Sequence, residues 1–177
     1  DCVFCFVDQN PPNMREGMYF RDGDFRMSYL HGHYITMTNM GKNDLERIID
    51  QRLSPLYVSV HVTDTKLRQQ LFLYKRDDEL LKKLQTLTKN GIELHTQIVL
   101  MPGINDGVYL LRTLSDLYSF YPQLKTCTIV PVGLTSHRTG LMNIRAVDKK
   151  YAIKLLKERP NLSNQYPGYN SPFVLFS

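Results

Sequence analysis

The sequence has 177 residues, 42% of them apolar, with 10 glycines and 9 prolines, a balance that suits one packed domain over 1–177 and excludes a disordered or low-complexity chain. No apolar run approaches the roughly 20 residues that cross a bilayer, and no signal-peptide pattern opens the chain, so a soluble, cytoplasmic protein without membrane contact is expected. The net charge of +5 raises nucleic acid as a partner, but Lys and Arg are spread along the chain and the pair Lys82-Lys83 stands beside Asp77, Asp78 and Glu79, so charge alone does not support it.

The first thirty residues open on Cys2-Val3-Phe4-Cys5 and are dense in Phe, Met, Tyr, Asp and Arg without a clean period, as expected of a functional loop leading into a short helix. From Tyr34 onward, short β-branched runs alternate with stretches of helical period, which predicts parallel strands joined by crossover helices. The strands are expected at 34–39, 56–62, 92–101, 125–132 and 172–176. Between them, Leu45, Ile48, Ile49 and Leu53 recur at helical spacing behind a capping box of Asn43 and Glu46. A second apolar stripe, Leu80 to Leu87, closes near Asn90-Gly91; a third, Leu110 to Leu117, opens at Asp106 and stops before Pro122. A fourth helix is expected over Tyr151 to Leu156 after Asp148, and the tail after Pro160 reads as irregular before a last strand.

The two faces of the predicted strands differ. Val58, Val60, Val62, Leu94, Ile98 and Leu100 share one face, as expected under covering helices. The other carries Thr36 and Thr38, then Tyr57, Ser59 and His61, then Glu93, His95 and Gln97, then Thr126 and Thr128. A parallel sheet covered on both faces reads apolar on both, so this polar row points either to an uncovered, solvated face or to a shared cavity. As a row it favours a site. The expected strand ends, at Thr38-Asn39, His61 to Asp64, Met101 to Asp106 and Val130 to Gly133, supply polar groups or backbone bent by Pro and Gly where ligands of parallel α/β folds bind.

Three cysteines, an odd number, argue against a disulfide framework. Cys127, alone in an apolar run, reads as a small buried residue. Cys2 and Cys5 can bind one metal centre, and alone they fit a zinc knuckle, a thioredoxin-like redox pair or part of an iron-sulfur site. For zinc the nearby pair His31 and His33 has the wrong spacing, and for a redox helix Pro11 and Pro12 intervene early.

Cys2 to Gln9 resembles the latter part of the radical S-adenosylmethionine (radical SAM) signature CxxxCxxC, including the aromatic residue before the last cysteine. Met14-Arg15-Glu16, Asp22 to Arg26, Leu30-His31-Gly32, Tyr34 to Asn39, Leu53 to His61 and Gln97 to Asp106 are similar to bacterial radical SAM proteins that have a PDZ-like segment first and a C-terminal domain of unknown function. The likeness fades after about Gly140. It implies a partial (βα)6 barrel, here without its first strand, and an enzyme that reductively cleaves S-adenosylmethionine at a 4Fe-4S cluster to give a 5′-deoxyadenosyl radical acting on an unassigned substrate. It implies Cys2 and Cys5 as metal ligands and Phe4 on the adenine side. It also implies Thr38, Asn39, Ser59 and His61 at the ribose or methionine, Gln97 in the cavity, Pro102, Gly103, Val130 and Pro131 lining the adenine, and Arg15, Arg26 or Arg138 on a carboxylate. An electron donor such as flavodoxin or ferredoxin would serve the cluster.

Two departures stand out. The family motif puts its first cysteine three residues before Asp1, so these residues supply two of three cluster ligands and would hold little cluster alone. Thr38-Asn39-Met40-Gly41 stands where a Gly-Gly-Glu-type motif is often found. The alternatives are a non-catalytic domain binding a small anionic or nucleotide ligand with a structural CxxC, and a radical SAM enzyme that modifies RNA.

Overall fold

The computed structural model describes residues 2–21 and 23–177; Asp1 and Asp22, the latter within a stretch that carries the resemblance, lie outside the described residues. After short 3-10 turns at Val7–Gln9 and Glu16–Tyr19 come α1 (Phe25–His31), α2 (Lys42–Asp50), β1 (Leu56–Ser59), α3 (Thr65–Leu71) and α4 (Leu80–Lys89). They are followed by β2 (Leu94–Leu100), α5 (Gly107–Tyr118), β3 (Leu124–Pro131), α6 (Lys149–Lys157), α7 (Arg159–Gln165) and β4 (Val174–Phe176). The strands pair in parallel in the order β1-β2-β3-β4, an open α/β sheet.

The predicted strand over 34–39 is not one. It contributes a single parallel bridge, Ile35 to Val58, in which Ile35 N donates to Tyr57 O (3.0 Å) and Ser59 N donates to Ile35 O (2.8 Å). Two residues on, Met37 turns to φ 59°, and buried cations take the carbonyls that a ladder would use: Arg68 Nη2 donates to Thr36 O (2.8 Å) and Lys83 Nζ to Met37 O (2.7 Å). The cap of α2 also differs. Gly41 is its N-cap, and Asp44 Oδ2 accepts from Gly41 N (2.8 Å), so Asn43 and Glu46 lie inside the helix. The tail contains α7, which Pro160 opens at a position where its missing N–H costs nothing.

Strand alternation builds the core. Leu94, Ile98 and Leu100 of β2 are buried with Leu84 and Leu87 of α4 and Leu114 and Leu117 of α5. Thr96 shares that face and is satisfied by donating to Thr126 O (3.1 Å), while Cys127 beside it is buried, which pushes its thiol up to about 12.

At the carboxyl ends of the strands the buried groups are polar and paired. Arg68, 3% exposed, donates from Nε to both oxygens of Asp78 (2.8 and 3.1 Å) and from Nη1 to Val60 O (2.5 Å), and its guanidinium lies 4.3 Å from the Phe72 ring centre. His61, at φ 61°, turns its ring back so that Nδ1 accepts from Val99 N (3.0 Å), standing in for a carbonyl that β1 no longer provides. Burial, aided by the nearby Arg68 charge, lowers its pKa to about 3 and keeps the ring neutral.

Removing one partner of the buried ion pair leaves a charge without compensation. Asp78→Ala should cost roughly 3–5 kcal/mol, and Arg68→Met with Asp78→Leu clearly less, measured by urea denaturation; a loss within ~0.5 kcal/mol for Asp78→Ala would contradict the pairing. For His61, the unfolded ring protonates near 6.5 and the folded one only near 3. Between those values the unfolded chain binds a proton that the folded chain does not, so acid favours unfolding. Stability should fall toward acid in that window with a His61 contribution approaching 1.4 kcal/mol per pH unit, one that disappears in His61→Asn. An unchanged slope in that variant would rule out this assignment.

Candidate active site

The CxxC loop sits on the carboxyl ends of the sheet. Val3 and Phe4 are buried with Val62, Met101 and Val132, the residues that follow β1, β2 and β3. Val3 N donates to Leu71 O (2.9 Å), and Cys5 N donates to Cys2 O (3.0 Å), which closes the loop and brings the two half-buried sulfurs together. The Cys5 sulfur accepts from the Cys2 thiol and from the backbone N–H groups of Val7 and Asp8. These bonds outweigh burial and lower its pKa to about 6. The Cys2 thiol is pushed up by that shared hydrogen bond, by burial and by the Cys5 charge. The loop therefore presents one thiolate readily and a second that needs a metal or other cation to give up its proton.

Phe4 does not face outward. Its ring stands edge-on to His61 (4.8 Å between centres), which in turn stacks on Phe72 (5.4 Å). The exposed aromatic of the loop is Phe6, packed so closely over Gly133 that a Cβ there would lie 2.7 Å from its ring.

Gln9 holds the loop from below. Fully buried, it donates from Nε2 to Phe4 O (2.9 Å) and accepts at Oε1 from Thr135 N (3.1 Å), while Thr135 Oγ1 donates to Gln9 O (2.8 Å). The segment after β3 thus straps the cysteine loop down. Arg138 extends the strap, donating from Nη2 to Val3 O (3.3 Å) and Met142 O (2.7 Å), while its buried Nη1 has no partner among the described residues.

Asn105 looks in sequence like a helix cap, but it is a fully buried latch. Oδ1 accepts from Met101 N (2.8 Å), and Nδ2 donates to His61 O and Val99 O (2.9 Å each), tying the ends of β1 and β2 together. Asp106 begins α5 and accepts from Tyr151 Oη (2.8 Å).

The polar row shares one face. Tyr57, His95 and Thr126 are in register, as are Ser59, Gln97 and Thr128, opposite the helix-covered residues. His95 stacks on Tyr57 (5.1 Å), its Nδ1 lies 2.7 Å from Thr126 Oγ1, and Tyr34 stands edge-on to Tyr57 (5.5 Å). His95, Gln97, Thr126 and Thr128 are half-buried and Ser59 is buried.

Most of the other predicted positions do not share that row's face. His61 is turned into the packing between Phe4 and Phe72, so it supports the loop from behind and presents no edge to a ligand. Val130 continues the row's face, two residues on from Thr128 and paired with Val99, whereas Pro131 points to the helix side and lines a crevice of about 310 Å³ with Leu100, Ile129 and Phe176. Thr38 Oγ1 lies 2.9 Å from Thr36 Oγ1, and Asn39 donates to Gly23 O (3.4 Å) in a groove shared with α1 and α2. Pro102 is buried and Gly103 exposed at φ 78°. Arg15 is exposed, and Arg26 is engaged by Asp24.

Among the described residues no group of three or more His, Cys, Asp or Glu is placed to hold a metal, so Cys2 and Cys5 are a two-thiolate donor set. Soft, adjacent and partly exposed, they fit two corners of an iron-sulfur cluster.

The fold resembles several solved structures. SuiB of Streptococcus suis superposes with a TM-score of 0.60 at 12% identity, over 81% of this chain and 31% of that one. SuiB bound to S-adenosylmethionine gives 0.56 at 12% identity, over 78% and 28%. A domain of pyruvate-formate lyase-activating enzyme from Bacteroides vulgatus gives 0.56 at 13% identity, over 82% of both chains. The chain thus spans about a third of SuiB. No curated protein matches it in sequence. Residues 1–127 match the family described as the radical SAM-like domain, and that match covers most of the chain. This protein belongs to the radical SAM-like domain family.

Proposed function

We propose that this domain holds an iron-sulfur cluster through Cys2 and Cys5 and binds S-adenosylmethionine at the carboxyl ends of its strands. The observation that carries the reading is the CxxC loop itself: two partly exposed cysteines in one turn closed by Cys5 N donating to Cys2 O (3.0 Å), seated over Val62, Met101 and Val132 and strapped down by Gln9 and Thr135. Two thiolates leave a 4Fe-4S cluster one protein ligand short, and the resemblance puts a third cysteine three residues ahead of Asp1. When bound and reduced by one electron, the cluster and S-adenosylmethionine together supply a 5′-deoxyadenosyl radical for hydrogen abstraction from a substrate.

The chain's own residues prepare the place. Arg138 Nη1, buried beside Val3 and without a partner among the described residues, suits the methionine carboxylate, since an unpaired guanidinium N–H is costly until an anion meets it. Phe4, His61 and Phe72 form a dry wall behind the loop, and neutral His61 adds no proton donor there. Ser59, Gln97 and Thr128 offer uncharged hydrogen-bonding groups on the open face.

The protein containing this domain with a third cluster cysteine, reduced by dithionite with S-adenosylmethionine, should release 5′-deoxyadenosine without added substrate. Cys5→Ala should abolish that release by removing an iron ligand. Arg138→Ala should weaken S-adenosylmethionine binding by roughly tenfold or more, the worth of a charged hydrogen bond, with the cluster retained. Release that survives Cys5→Ala, or a loaded cluster that never cleaves, would favour a non-catalytic binding domain.

A further inference from the structure

The chain after β3 runs from Val132 to Asp148 without helix or strand, and it passes against the cysteine loop on its way to α6. Its two ends are fixed. Leu134 packs in the cluster that holds Val3 and Phe4, and Thr135 is bonded both ways to Gln9. At the far end Ile144 is buried in the same cluster, beyond which Tyr151 Oη ties α6 to Asp106 (2.8 Å). Between those ends Ser136, His137, Thr139, Gly140, Met142 and Asn143 are exposed. A stretch with so few buried groups opens far more readily than the domain unfolds.

Arg138 organises the middle of this strap. Leu141 N donates to Arg138 O (3.1 Å), Arg138 Nη2 donates to Met142 O (2.7 Å), and Gly140 completes the turn at φ 79°, where a side chain would be strained. The same Nη2 reaches Val3 O at 3.3 Å, longer than the usual range. Among the described residues that is the one hydrogen bond from 136–143 to the cysteine loop. Nη1 is buried and has no partner among the described residues. The strap supplies no acid of its own for it: within 134–147 the charged side chains are Arg138 and Arg145, and Arg145 is taken by Asp148 (2.6 Å). The guanidinium is thus held in place by its own turn, weakly tied to the loop, with one donor left for an anion from outside.

We propose that the carboxylate of S-adenosylmethionine completes this pin and locks residues 136–143 onto the cysteine loop. This rests on the reading above, in which Arg138 meets that carboxylate, and adds what the contact does to the chain. A charge-assisted hydrogen bond is roughly twice as strong as a neutral one, so it outweighs the long bond to Val3 O that holds the strap without ligand. The coupling is reciprocal: whatever the carboxylate adds to the locked strap, the locked strap adds to binding. Closure therefore selects for the carboxylate, and an adenosine compound without one leaves the strap loose.

Hydrogen exchange read by mass spectrometry on the cluster-loaded protein containing this domain tests this, with S-adenosylmethionine or its decarboxylated analogue at saturation and bound ligand counted by equilibrium dialysis. S-adenosylmethionine should slow exchange over 137–143 about tenfold or more, the worth of one charged hydrogen bond. The decarboxylated analogue, and S-adenosylmethionine in Arg138→Gln, should leave that exchange fast, with unchanged exchange across β2 showing that the variant is folded. If the analogue is not retained, the Arg138→Gln comparison decides alone. S-adenosylmethionine bound with exchange over 137–143 unchanged overturns the proposal and leaves the reading of the site standing. Equal slowing with the analogue or in Arg138→Gln also overturns it, because the carboxylate would then not be the cause. A cluster-loaded protein that retains no S-adenosylmethionine removes the reading of the site, and this proposal with it.

Discussion

Strand β2 can place its side chains only alternately on two faces, and the architecture of the site depends on that constraint. Leu94, Ile98 and Leu100 are committed to α4 and α5, which forces His95, Gln97 and Val99 to the other side in register with Tyr57 and Ser59 of β1 and Thr126 and Thr128 of β3. A slip of one residue would bury His95 and Gln97 under the helices and expose the leucines. The polar face is thus a consequence of the same pattern that makes the core.

The ends of the strands are held by buried polar groups, each satisfied. Asn105 closes the β1 and β2 ends, His61 replaces a missing ladder carbonyl for Val99, and Arg68 spans Asp78, Val60 and Thr36. Gln9 does the same between the cysteine loop and the segment after β3. Leaving any one of these groups unpaired in the interior costs of order 1–3 kcal/mol, so together they define one conformation for the loop that carries Cys2 and Cys5.

Much of this was legible in the sequence, because period-two alternation and leucine stripes are local signals. They located the four strands, the α4, α5 and α6 helices and the shared polar face. The strand expected over 34–39 failed for a long-range reason: Arg68 and Lys83 capture the Thr36 and Met37 carbonyls, and nothing near Met37 announces its left-handed turn. Asn105 resembles a cap in sequence, and its burial depends on His61, 44 residues away. Gln9 and Thr135 are 126 residues apart, so their strap has no sequence signature. The basic stripe of Lys150, Lys154 and Lys157 on α6 was visible in principle. The cations are indeed spread along the chain, but only Asp148 and Glu158 stand against seven of them over 138–159.

The central claim is that Cys2 and Cys5 are iron ligands. It is tested most directly by iron and sulfide analysis with electron paramagnetic resonance on the anaerobically reconstituted protein that contains this domain and a third cluster cysteine. Iron ligation by both cysteines gives iron and sulfide in equal amounts with a reduced-cluster signal, and loss of both in Cys2→Ser and in Cys5→Ser. Bound zinc without sulfide, or a cluster that persists unchanged in Cys5→Ser, would contradict it.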